Sequence, residues 1–468
     1  MGIWSRKQID TLESHDGPRL RRSLGPVHLV ALGVGAIVGT GIYTLIGVGA
    51  DRAGPAVLIS FAIAGLVCAC VALCYGELAS MMHASGGAYT YSYAALGELV
   101  AWMIGWALIL EYSVVCAAVA VGWSGYAVSF LASAGLNLPP QLAAGPDAGG
   151  VINLPAILIL FAVAGLLCLG TRESAAVNSA LVGLKIVALV LFIGLALPAF
   201  NGAHFEPFMP HGFSPTTDAT GVTYGVMGAA ALIFFAFYGF DAVATAAEEA
   251  KNPARDLAIG IVGSMVVCTA LYIAVAVAAI GAMAPQDFAR SDEPLAMIIR
   301  TLGHPELAAV IAAVAVIALP TVILAFLFGQ SRIFFVMARD GLLPRRLGAI
   351  NEKRGAPVFV TMVTAALVSV LAGLLPLGEI AALANAGTLA AFVAVAASLI
   401  ALRRIDPVRR RPFRTPLAWI IAPAAIVGCL YLFISLPPAT QQRFFIWIAI
   451  GLLVYGLRHA FRRKSPAT

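Results

Sequence analysis

Residues 32–44 read LGVGAIVGTGIYT, an apolar run with glycines at 33, 35, 39 and 41. Glycine weakens a helix interior by about 1 kcal/mol relative to alanine, so four in such a short stretch need a reason. One reason is close helix packing through small residues four apart, which Gly35 and Gly39 fit. Gly39-Thr40-Gly41 goes further, because two glycines around a hydroxyl residue let the backbone leave helical geometry. At membrane depth, non-helical backbone survives only where it lines a cavity or is buried in protein. A break there would bare the first amides of a second half-helix at the positive end of its dipole, which is an anion site. The glycine pattern alone leaves packing and break both open.

A second run offers the complementary chemistry. Residues 229–254 read AAALIFFAFYGFDAVATAAEEAKNPA, with Gly239 and Asp241 inside an otherwise apolar stretch. A break around Phe235–Gly239 would free carbonyl oxygens at the end of the first half-helix, and these suit a cation such as an ammonium group. The two runs hold corresponding places, one opening the first five apolar stretches and the other opening the second five. Paired interrupted helices in equivalent halves point to an inverted-repeat transporter site. A zwitterion fits, its carboxylate on the first run and its ammonium on the second.

The rest of the chain supports a membrane setting. Of 468 residues, 61% are hydrophobic and 11% charged, against roughly 25% charged in soluble domains. The apolar stretches are continuous and near the roughly 20 residues that a helical span needs, without the alternation of a barrel. The expected fold is an all-α integral membrane protein with about twelve spans, at 26–49, 55–80, 96–131, 153–170, 174–198, 223–246, 257–284, 306–336, 357–376, 378–402, 416–436 and 442–460. The expected organisation is an N-tail over 1–25, a first repeat over 26–198, a second over 223–402, two further spans over 416–460 and a C-tail over 461–468. The first apolar stretch exceeds the h-region of a signal peptide, roughly 7–15 residues, so no cleaved leader is expected.

With the N-terminus in the cytoplasm, all but five of the 29 Lys and Arg residues fall on the inner side. The exceptions are Arg52, Arg290, Arg300 and Arg443 outside and Lys185 within a span. This asymmetry predicts both termini inside and accounts for the basic balance without nucleic acid. The seven cysteines lie in apolar segments with no CxxC pairing and read as buried or lipid-facing residues. No HExxH pair suggests an enzyme, and no ring of repeated polar residues suggests a channel.

Four motifs then carry a resemblance: GAIVGTGIY at 35–43, SGGAYTYSY at 85–93, FFAFYGFDAVATAAEEAKNPARDL at 234–257 and GQSRIFFVMARDGLLP at 329–344. In this order the chain resembles the amino acid–polyamine–organocation transporters, in their bacterial, cationic-amino-acid-transporter-like branch. The resemblance implies a five-plus-five inverted repeat with broken first and sixth spans, two added helices, and secondary active transport of amino acids across the bacterial inner membrane. It implies that Ile37, Gly39, Thr40 and Gly41 form the carboxylate side of the site. It implies that the carbonyls of Phe235, Ala236 and Tyr238 form the ammonium side, and that Leu319 floors the pocket. Lys185 matches a family lysine that packs on the broken part of span one. The partners expected are an amino acid, a proton and membrane lipid, with no cofactor and no metal.

Ionisable residues within spans are expensive and mark function or pairing. Lys185, in NSALVGLKIVALVLFI, lies too deep to reach an interface easily and is a candidate proton carrier. Glu111, in ALILEYSVV, could relay a proton, receive a cationic side chain, or bond a neighbouring helix. Asp241 is read as capping or bonding the unwound backbone, Glu248 and Glu249 as inner-gate partners of Arg or Lys, and Glu77 as structural. Because Leu319 offers bulk and no hydrogen bond, small neutral amino acids such as alanine are expected over arginine, lysine or ornithine. The alternatives are a transporter of cationic amino acids and an exchanger of amino acids or polyamines without net proton movement.

Overall fold

The computed structural model describes residues 5–7, 24–82, 86–169, 175–245, 250–349, 351 and 357–464. Among the described residues the fold is all-α apart from a ribbon of two two-residue strands that pairs Thr216 with Tyr224 and Thr217 with Thr223. Each of the twelve expected stretches is helical. Span one is divided into α1 (Pro26–Ile37), α2 (Thr40–Tyr43) and α3 (Leu45–Ala53). Spans two to five are α4 (Val57–Met81), α6 (Glu98–Ser133), α7 (Leu154–Cys168) and α8 (Ala175–Ala196), with a short α5 (Gly87–Ala95) before α6. Span six is α9 (Val226–Ile233), a tighter turn over Phe234–Phe237, and α10 (Ala242–Thr245).

Span seven is α11 (Pro253–Ala282), followed by a connecting helix α12 (Pro294–Thr301). Span eight is α13 (Pro305–Ala318) and α14 (Pro320–Arg339). The last four spans are α15 (Val358–Leu374), α16 (Leu377–Ile405), α17 (Ala418–Ile434) and α18 (Pro438–Lys464).

Among the described residues, six helical stretches reach spanning length and apolarity by themselves. The apolar helices Pro26–Ile37, Leu154–Cys168, Val226–Phe237 and Val358–Leu374 are shorter, and Ala418–Ile434 meets Pro438–His459 at 112°. Two of the short helices are short because their spans are interrupted. Between α3 and α4, Gly54 at φ +61° precedes Pro55 and ends one helix before the next begins.

Leucine, isoleucine and valine stand on the outer surface, with Leu66, Leu367, Ile420 and Leu453 each more than 60% exposed. Scattered over a whole girdle, this surface needs lipid rather than water. Inside, α11 lies along α1 and α4, while α16 lies along α6 and α17. Trp106 and Trp447 stack with centroids 4.7 Å apart. Each donates its indole N–H to the other's carbonyl at 2.9 Å, which ties α18 to α6.

The face that carries the N-terminal segment is laced with ion pairs. Lys7 reaches Asp340 at 2.8 Å, and the Tyr89 hydroxyl donates to the same carboxylate at 2.9 Å. Glu77, wholly buried, receives Arg403, Arg411 and the Thr415 amide, so the loop after α16 is fixed to α4. Glu77 is thus structural, as its position suggested. Glu248 and Glu249 lie outside the described residues.

Candidate substrate site

The break in span one falls where the glycines put it. Helix α1 stops at Ile37, Val38 and Gly39 are extended, and α2 restarts at Thr40. The first amides of a helix have no partner within it. Among the described residues no backbone acceptor meets the amides of Gly39, Thr40 or Gly41. The Thr40 hydroxyl is likewise buried without a partner, and its methyl group occupies the space that a side chain on Gly122 of α6 would need.

Span six breaks opposite. After the tight turn, Tyr238 is extended and Gly239 adopts φ +107°. That conformation is open to glycine at no steric cost, and the fit is tight as well. A β-carbon on Gly239 would come within 2.7 Å of Ala36 at the end of α1. Gly41 in turn lies against Ala236, where a β-carbon would come within 2.6 Å of the Ala236 Cβ. The two breaks are therefore packed on each other, Gly41 against Ala236 and Gly239 against Ala36.

Side chains from other spans finish the site. The Ile37 carbonyl accepts the Tyr272 hydroxyl of α11 at 2.9 Å. Val322 of α14 lies 3.4 Å from where a Gly39 side chain would begin. Leu319 is wholly buried at the one-residue interruption between α13 and α14, which Pro320 imposes by lacking an N–H. Val322, one turn further along, is thus the side chain of span eight that meets the Gly39 break.

Lys185 of α8 is buried, and its ammonium donates to the Gly35 carbonyl at 3.0 Å and to the Thr321 hydroxyl at 3.2 Å. Gly35 belongs to the last turn of α1, whose carbonyls the break leaves open. A lysine there satisfies one of them, that of Gly35, and sits at the negative end of the half-helix. The Tyr43 hydroxyl donates to the Lys185 carbonyl at 3.2 Å, so α8 is bound to both sides of the break.

Glu111 of α6 is buried beside Gly387 of α16, and one carboxylate oxygen has no partner among the described residues. Asp241 accepts the neighbouring Tyr112 hydroxyl at 3.0 Å, which links span six to span three. Gly122, Val322, Tyr272 and Asn385 (hydrogen-bonded to Tyr238) were not singled out by sequence reasoning. Asn385 alone carried a signal, as a polar residue inside an apolar span.

The sequence profile of the amino acid permeases matches residues 24–455. The chain belongs to this family, within the amino acid–polyamine–organocation superfamily. This permease is 44% identical to a branched-chain amino acid permease of Bacillus subtilis over 97% of each chain. It is 39% identical to a methylthioribose transporter of the same organism over 99% of each chain. It is 37% identical to vacuolar cationic amino acid transporter 4 of Arabidopsis thaliana, over 86% of this chain and 67% of that protein. It is accordingly a multi-pass membrane protein of a permease family.

Proposed function

We propose that this permease carries small neutral amino acids across the membrane by proton-coupled symport with alternating access. The observation that carries this reading is the close packing of the two breaks, Gly41 on Ala236 and Gly239 on Ala36. The amides of Gly39, Thr40 and Gly41 take the substrate carboxylate, and the carbonyls of Phe235, Ala236 and Tyr238 take its ammonium. Val322 and Leu319 present only hydrocarbon to the substrate side chain. The relatives named as branched-chain permeases, from Bacillus subtilis and Lactococcus lactis, support extending the substrates from alanine to valine, leucine and isoleucine.

In this reading residues 26–198 and 223–402 form two inverted repeats, residues 416–460 are an addition, and both termini face the cytoplasm. Lys185 is the coupling residue, because its positive charge at the negative end of α1 strengthens the bond to the Gly35 carbonyl, and deprotonation weakens that hold. Glu111 is a second proton carrier. Its unpartnered oxygen also supports a second reading, in which Glu111 receives the charged side chain of arginine, lysine or ornithine. The deciding experiment is uptake of labelled leucine and alanine into proteoliposomes, driven either by an inward proton gradient or by counterflow. Accumulation with the gradient supports symport, and counterflow without gradient-driven accumulation supports exchange. Failure of both with neutral amino acids, alongside arginine uptake, supports the cationic reading.

A further inference from the structure

Asn385 stands on α16 in the run ALANAGTLAA, residues 382–391, and is wholly buried. A buried amide needs partners for its donors and its acceptor, and this one finds them on both sides of the break in span six. Its Nδ2 donates to the Ala231 carbonyl at 2.6 Å and to the Leu232 carbonyl at 2.9 Å. Its Oδ1 accepts the Tyr238 hydroxyl.

These carbonyls are the ones a continuing helix would use. An α-helix bonds each N–H to the carbonyl four residues back. If α9 ran on, the amide of Phe235 would go to Ala231 and that of Ala236 to Leu232. Instead α9 ends at Ile233 and the next turn is tighter. Asn385 thus supplies from another helix a donor to Ala231 and a further donor to Leu232, whose carbonyl also accepts the Phe234 amide. Its neighbours allow the approach: Gly387 faces the other way, where a β-carbon would come within 3.1 Å of the Ala107 carbonyl and 3.3 Å of the Glu111 Cβ. Helix α16 is therefore wedged between the span-six break and span three.

We propose that Asn385 is a positioning residue that holds the span-six break open and so aims the carbonyls of Phe235 and Ala236 at the substrate ammonium. This rests on the reading that span six receives the ammonium. Without the two donors, Ala231 and Leu232 recover the amides of Phe235 and Ala236, the tight turn rewinds, and the freed carbonyls turn away.

The test is competition against labelled leucine binding to purified protein, with two analogues of leucine. Isocaproate lacks the ammonium and isoamylamine lacks the carboxylate. Hydrogen bonds to a charged group are worth about 1.5–3 kcal/mol, so wild type should prefer leucine to isocaproate by roughly 10- to 150-fold. In Asn385→Ala that preference should fall to a few-fold, while the preference over isoamylamine stays. Asn385→Leu keeps the volume and removes the donors; it gives the same readout if the alanine variant does not fold. Tyr238→Phe, which removes one bond of three, should show an intermediate loss. An unchanged preference over isocaproate in a folded Asn385 variant overturns the proposal. Equal loss of both preferences overturns it too, since that marks general damage. Wild type that binds no amino acid sinks the functional reading instead.

Discussion

Gly41 of span one rests directly on Ala236 of span six, so closely that no β-carbon fits between them. Gly39 differs: its backbone is extended, and a β-carbon there would make ordinary contact with Val322 at 3.4 Å. Gly41→Ala should therefore separate the two breaks and abolish leucine binding, while Gly39→Ala should retain measurable binding. Gly39→Leu, which fills the gap to Val322, should lose it. Affinity measured on purified, monodisperse protein decides this, and wild-type affinity in Gly41→Leu would remove the broken-helix site altogether.

Lys185 bonds the end of α1 through Gly35 and span eight through Thr321. Lys185→Ala should lose accumulation driven by an inward proton gradient and keep part of the counterflow signal, because the site for the substrate ends is left in place. If the variant still accumulates leucine under the gradient, Lys185 does not couple the proton.

What sequence could and could not reveal follows from where the information lies. The break at Gly39 was legible because glycine is locally anomalous in an apolar run, and Lys185 because a single charge stands out in a span. The partners of those residues were not. Gly122 matters only because Thr40 packs on it, and Tyr272 only because its hydroxyl meets Ile37. Such pairings come from tertiary packing across more than 80 positions of chain and leave no local pattern. The bond from the Tyr112 hydroxyl to the Asp241 carboxylate is likewise a contact that only the packing of span six on span three creates.

Glu77 is buried between Arg403 and Arg411 and also accepts the Thr415 amide. Removing one member of a buried ion pair leaves the others uncompensated, at a cost of about 3–5 kcal/mol. Glu77→Ala should therefore melt well below wild type in detergent, with Glu77→Gln in between. A melting temperature within a degree or so of wild type for Glu77→Ala would show that water reaches the two guanidinium groups.

Asp292 lies in the connection between α11 and α12, pressed against Gly125 of α6. Its side chain reaches solvent, yet the packing around it and the neighbouring Glu293 charge raise its carboxyl above the ordinary value of 3.8. A carboxyl raised by folding binds more protons in the folded state, so its contribution to stability falls as pH rises from 3.8 through the raised value. Asp292→Asn should accordingly melt higher than wild type at neutral pH. The gain should shrink as pH is lowered toward the ordinary value. A gain that is the same at every pH would assign the effect to packing rather than charge.

The last prediction concerns the substrate side chain. Leu319 is wholly buried where Pro320 interrupts span eight, and Val322 one turn on lies against the Gly39 break. Two aliphatic side chains in this position offer an alkyl substrate dispersion contacts and offer a guanidinium nothing. An unpaired charge in such a place is costly, and Glu111, with one carboxylate oxygen that has no partner among the described residues, is the candidate to offset it. Arginine should thus compete poorly for labelled leucine uptake in wild type. Leu319→Ser enlarges the pocket and adds a hydroxyl, so arginine should compete better there, while leucine loses affinity by the transfer energy of the missing contacts, on the order of 1–3 kcal/mol or about 10- to 200-fold. Glu111→Gln should leave leucine binding in place and cancel the arginine gain. Strong arginine competition in wild type that persists in Leu319→Ser and vanishes in Glu111→Gln would reverse the assignment, making Glu111 the receptor of a cationic side chain and this permease a carrier of basic amino acids.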